Sequence, residues 1–179
     1  DLDAITTEYA RKRLQLARID AELTGKPFLP DIQAPAALLR ETGAQYQANR
    51  DALAAALAEE RSRLVKAQQE LAAARQQKTR LEAVLPHYRE QDKAYEKLVK
   101  EGFAGGLMGS DKRRERIEKE QELATQGHLI ASAQASIDQS QKKLKQIEAD
   151  YLRQLHAERN EAQAQIDKLA KEQEKQQHR

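Results

Sequence analysis

Two ladders of apolar residues mirror each other about Gly105-Gly106, and few folds other than a helix doubled back on itself satisfy both at once. The first ladder, in steps of seven or multiples of seven, is Leu53, Ala67, Ala74, Leu81, Tyr88 and Tyr95, broken by Glu60; the second is Leu123, Ile130, Ile137, Leu144 and Tyr151. Tyr88 pairs with Leu123, Leu81 with Ile130, Ala74 with Ile137 and Ala67 with Leu144, all about one midpoint between the two glycines. A seven-residue apolar repeat marks helices packed along a seam, and small opposite large is the pairing close packing favours. A companion series, Leu57, Leu64, Leu71, Lys78, Leu85, Asp92 and Val99, completes the heptad, with Lys78 and Asp92 as polar interruptions. The predicted fold is all-α: a long antiparallel coiled-coil hairpin with a short extra N-terminal helix packed near its base.

Composition supports a rod over a globule. Of 179 residues 34% are charged and 4% aromatic, with no Trp and a mean hydropathy of -0.89; that balance suits long helices, not a wide core. Lys plus Arg number 31 and Asp plus Glu 29, so a net charge of +2 gives no general field for nucleic acid or a membrane surface. The absence of cysteine removes disulfides and thiolate ligands without fixing a compartment. No run approaches the roughly 20 apolar residues of a membrane span. The chain starts at Asp1 and stops inside a helical pattern, so it is expected to be a piece of a longer protein, with any membrane anchor outside it.

Residues 1–25 carry Leu2, Ile5, Tyr9, Leu16, Ile19 and Leu23 at alternating three- and four-residue steps, with Lys12 among them, which predicts an amphipathic helix with a narrow seam. Gly25 stands where a left-handed helix cap is expected. Residues 26–36 hold Pro27, Pro30 and Pro35 and predict an extended linker that runs back, setting the first two helices parallel. The outgoing helix is expected over 37–101, with a kink near Pro86. A Gly-rich tip turn follows over 102–110, and a returning helix over 111–179 begins at Ser110 as N-cap. Beyond Tyr151 the stripe continues as Leu155, Ala162, Ile166 and Leu169, a slip of the heptad where a third helix joins.

No residue pattern is catalytic. His87, His128, His156 and His178 lack metal-ligand spacing, and no cofactor is implied. Carboxylates on a coiled-coil surface lack the pocket that tunes acid–base groups. The segment Gly102-Phe103-Ala104-Gly105-Gly106-Leu107-Met108-Gly109 follows no strand and lacks the Lys and Ser/Thr of a phosphate loop, so it reads as a turn. Its apolar residues have no core to enter. Either they plug the hairpin end, or Leu98, Gly102, Phe103, Gly105, Gly106, Leu107 and Met108 form a partner-docking tip. The basic cluster Lys112-Arg113-Arg114-Glu115-Arg116 is interleaved with Glu118, Glu120 and Glu122, which argues for a solvated or partner-facing surface over a nucleic-acid stripe.

Three segments carry a family resemblance: Leu2-Asp3-Ala4 at the start, Tyr95-Glu96-Lys97-Leu98-Val99-Lys100-Glu101-Gly102-Phe103 before the turn, and Glu174-Lys175-Gln176-Gln177 at the end. In this order they resemble the helical hairpin of hemolysin-D-family adaptors, the membrane fusion proteins of type I secretion. In the family's tip pattern an Arg, a Leu and a Ser meet the channel; here Leu98 matches the leucine, while Ala94 and Gly105 occupy the other two places. The resemblance implies a non-enzymatic periplasmic adaptor, held in the inner membrane by a segment outside this chain. Its implied partners are an inner-membrane ABC transporter, a TolC-like outer-membrane channel and copies of itself, as a hexamer. Two other readings suit a bare helical hairpin: an RNA-binding arm, as on some aminoacyl-tRNA synthetases, and a structural tether.

Overall fold

The computed structural model describes all residues, 1–179, and contains three helices: α1 (Leu2–Thr24), α2 (Ala36–Lys100) and α3 (Gly106–Gln177). α2 and α3 make a long helical hairpin, and no helix is long and apolar enough to cross a membrane. The residues group into two compact units, one of 1–60 with 143–179 and one of 61–142.

In the first unit three helices meet. α1 is started by the Asp1 carboxylate, which accepts from the Asp3 N–H, and stopped by Gly25 at φ 69°, with the Lys26 N–H bonded to the Ala21 carbonyl at 3.0 Å. Only glycine takes that left-handed conformation without a Cβ penalty. The linker then returns along α2: the Tyr46 hydroxyl donates to the Lys26 carbonyl at 2.9 Å, and Phe28 stacks on Tyr46. Pro35 opens α2, its carbonyl accepting from Leu38 and Leu39.

Pairing fixes the directions. Arg11 meets Glu41 and Glu22 meets Asn49, so α1 and α2 run parallel as expected. Thr6 meets Gln173, Asp20 meets Arg159 and Glu22 meets Tyr151, so α1 opposes α3. Ile19, Leu155 and Ala162 form the apolar core here, flanked by Leu23 and Tyr151. The added four-residue step at Tyr151–Leu155 is visible in burial, since Tyr151, Leu155 and Ala162 all turn inward.

The narrow seam expected of α1 is corrected. Leu14 and Ile19 are both 0% exposed, and Arg18, Ala21 and Glu22 are buried as well, while Leu2 is exposed. α1 touches two helices at once, so it buries two adjacent stripes where a two-stranded seam would bury one.

In the second unit Ala67, Leu71, Ala133 and Ile137 form one apolar cluster, with Leu64 and Ile130 against it. On α2 the buried and half-buried positions follow both ladders from Leu53 to Val99, except at Lys78, which is exposed. α2 continues through Pro86. Pro86 and Glu82 are both exposed, so water can take the carbonyl bond that the proline cannot.

The register about Gly105-Gly106 is also corrected. Tyr88, expected opposite Leu123, lies under Lys119; Arg116 reaches Asp92, and Gly109 faces Val99. α3 is therefore displaced by nearly one turn, about 3.6 residues. The cause is a shorter connection than expected, residues 101–105, centred near Phe103.

Gly127 lies exposed inside α3, and a Cβ there would meet nothing within 4 Å. Gly127→Ala is expected to raise stability by about 0.5–1 kcal/mol in urea unfolding, through lower unfolded-chain entropy and better helix propensity.

Candidate partner-docking turn

α2 ends in a Schellman arrangement. The Gly102 N–H bonds to the Val99 carbonyl at 3.2 Å and the Phe103 N–H to the Leu98 carbonyl at 2.9 Å, with Gly102 at φ 80°. Gly102, and not the Gly105-Gly106 pair, is thus the glycine that the reversal requires. Gly105 and Gly106 have no positive φ, and a Cβ on either would meet nothing within 4 Å. The signal was present in the sequence as two apolar residues, Leu98 and Phe103, flanking a glycine at C3 and C″ spacing. Gly102→Ala is expected to cost about 1 kcal/mol or more, read as a lower urea midpoint, because the left-handed conformation must be kept by a residue with a Cβ.

α3 starts at Gly106, so the turn predicted over 102–110 ends earlier and Ser110 is not the N-cap. The Gly105 carbonyl accepts from the Gly109 N–H at 3.3 Å, which closes the first helical turn before Ser110 is reached. A Cβ on Gly109 would lie 3.0 Å from Val99 Cγ2, so the glycine lets the two helices approach closely just behind the turn.

The turn brings all seven candidate docking residues together. Leu98 is in the last turn of α2, Gly102, Phe103 and Gly105 lie between the helices, and Gly106, Leu107 and Met108 open α3. Phe103 is 79% exposed, Leu107 80%, Met108 46% and Leu98 36%. Phe103 and Leu107 do not fold inward to plug the hairpin end. Exposed aromatic and aliphatic side chains grouped in this way make the turn the candidate contact surface of the chain.

Behind the turn the seam is polar. Lys112 sits over the Tyr95 ring at 5.4 Å and Lys119 over Tyr88 at 5.6 Å. Between these layers Arg116 binds Asp92 at 2.6 Å and Glu120 at 3.1 Å, and Arg89 reaches Glu120 at 3.3 Å. The bonds from Asp92 and Glu120 push the Arg116 pKa up, and the bonds from Arg89 and Arg116 pull the Glu120 carboxyl down. Two residues of the basic cluster, Lys112 and Arg116, are therefore half-buried in the seam and not on a free surface. Arg114 pairs with Asp111 and Glu118 on its own helix. Asp92, a polar interruption of the apolar ladder, is matched across the seam by Arg116, a pairing the heptad itself implies in this register.

An open groove of about 930 Å³ lies in the first unit, among α1, α2 and α3. Its charges answer one another, Arg11 with Glu41 and Arg18 with Glu158, so it presents no isolated acid or base. The four histidines are all exposed, and no group of three or more His, Asp or Glu is placed to hold a metal ion.

Comparison with known proteins matches this geometry. A solved structure described as the soluble domain of LipC, a membrane fusion protein of a type I secretion system, has the same fold with a TM-score of 0.82. It is 18% identical, and the alignment covers 97% of this chain and 85% of that one. No curated protein sequence matches. The family model described as AprE, long alpha-helical hairpin, matches residues 1–179, the whole chain. With its two long helices, glycine-capped turn and accessory α1, the chain belongs to the AprE-type long α-helical hairpin family of type I secretion adaptors.

Proposed function

We propose that this hairpin is the periplasmic part of an adaptor that bridges an inner-membrane ABC transporter and a TolC-like outer-membrane channel, and that the turn between α2 and α3 is where the channel docks. The observation that carries the reading is the exposed apolar set Leu98, Phe103, Leu107 and Met108 grouped at the connection between α2 and α3, with Phe103 and Leu107 the most exposed large apolar side chains of the helix pair. The AprE-type family and the likeness to a type I secretion membrane fusion protein support it. The role is mechanical and not enzymatic: the helices hold a contact surface in place, and no step of chemistry is assigned to them. Membrane anchoring and contact with the transporter belong to segments outside this chain, and copies assemble laterally, as a hexamer, in the working complex.

Affinity capture from solubilised cell envelopes tests the docking step. The full-length protein is expected to recover an outer-membrane channel, and Leu107→Asp to lose it while still recovering the transporter. Recovery of the channel at native levels by the aspartate variant would contradict the assignment of the turn.

A further inference from the structure

The seam between α2 and α3 changes character inside the second unit. Away from the turn it is apolar: Leu71, Leu81 and Leu85 of α2 are buried, as are Ala133 and Ile137 of α3. From Pro86 through the turn to Ser132 no residue is buried, and Tyr88, Tyr95 and Val99 are only half-buried. The segments 86–100 and 106–122 are held instead by Lys119 over Tyr88, Lys112 over Tyr95 and the ion pairs among Arg89, Asp92, Arg116 and Glu120. Partly exposed cation–π contacts and ion pairs contribute little each, and helical segments of this length are marginal in water without an apolar face to bury.

Two helix breakers stand where the apolar seam ends. Pro86 follows Leu85 directly and supplies no N–H to the Glu82 carbonyl, so one turn of α2 lacks a backbone bond. The cross-helix pairs Val99 with Gly109, Asp92 with Arg116 and Tyr88 with Lys119 advance in step, and the same spacing sets the turn Glu82–Pro86 level with Glu122–Gln126 of α3. Gly127 comes next. It is exposed and has open space where a Cβ would lie, so no close approach accounts for it, and a glycine inside a helix weakens that helix through backbone entropy. Both helices are therefore weakened at one level of the hairpin, and it is the level at which burial stops.

We infer that Pro86 and Gly127 form a joint across the hairpin, and that the arm beyond it, 86–100 with 106–122, opens separately while the apolar seam stays closed. The arm carries Leu98, Phe103, Leu107 and Met108, so the joint lets that surface reorient without disturbing the rest of the seam. The joint rests on burial and backbone chemistry and does not depend on what the turn binds.

Hydrogen exchange of the full chain, followed by mass spectrometry, reads the joint. Amides in 88–100 and 106–121 are expected to exchange about tenfold or more faster than those in 64–81 and 130–141, with a step at 82–87 and 122–129. Pro86→Ala combined with Gly127→Ala, both at exposed positions, is expected to keep the fold and to slow exchange in 82–90 and 122–129 about tenfold or more, because each change restores what the joint lacks. Equal protection on the two sides of the joint, a gradual rise from the turn with no step, or a double variant that exchanges as the native chain does would overturn the inference.

Discussion

Leu98→Asp combined with Phe103→Asp in the full-length protein is expected to abolish export while leaving the hairpin folded, at a stability cost of about 1–2 kcal/mol. The two effects separate because of where the side chains lie. Phe103 is mostly exposed, so folding gains little from it, and Leu98 lies at the margin of the seam, where its partial burial makes a modest contribution. Their backbone atoms, by contrast, form the Schellman bonds, and those involve N–H and C=O groups that aspartate also supplies. A partner that buries the phenyl ring gains about 25 cal/mol for each Å² removed from water, and a carboxylate in the same place must instead be desolvated. Export assays paired with thermal melts of the isolated hairpin read both quantities. Native export from the double variant would contradict a docking role for these side chains.

Arg18→Ala is expected to be the most damaging single change to stability, at about 3 kcal/mol, because it removes the cationic partner of a fully buried carboxylate. Tyr151 and Asn49 still donate to Glu22, which keeps the loss at the lower end of the range for a broken buried pair. Arg11→Ala is the internal control. Arg11 bridges Glu8 and Glu41 in solvent, and its loss is expected to cost no more than about 1 kcal/mol, the scale of exposed ion pairs. Urea unfolding followed by circular dichroism compares the two, and equal losses would contradict the burial argument.

Tyr151 gives the same cluster a pH signature. Burial first, and then its bond to the Glu22 carboxylate, push the phenol up from 10.0 to about 12. A folded pKa above the unfolded value means that the contribution is fully present below pH 10 and is lost as pH rises toward 12. The stability difference between the native protein and Tyr151→Phe is therefore expected to be constant from pH 7 to 9 and to shrink above pH 10. A difference that grows with alkali would contradict the assigned donor.

Period was the legible part of this fold. Heptad spacing placed Leu57, Leu71, Leu81 and Leu85 in the seam, and burial agrees. Proline and glycine chemistry likewise marked Gly25 and the linker, because both act through local backbone geometry. Register was less legible. Two glycines side by side drew the fold point to Gly105-Gly106, whereas the backbone demand falls on the single Gly102, and that difference moves every cross-helix pair by nearly a turn. α1 was misread for another reason. A helix wedged between two partners buries charged Arg18 and Glu22, which lie off the single apolar stripe that the spacing of α1 defines. At the turn, the candidate residues were found from an anomaly of composition, apolar side chains where no core exists. The cation–π and ion-pair layers behind them depend on cross-helix partners that a wrong register conceals.

A photoreactive residue placed at position 103 of the full-length protein in living cells tests the central claim most directly, with position 142, exposed on α3, as the reference. The expected result is an adduct between position 103 and the outer-membrane channel that is absent from position 142. Adducts from position 103 that contain only further copies of this chain, or equal labelling of the channel from both positions, would contradict it.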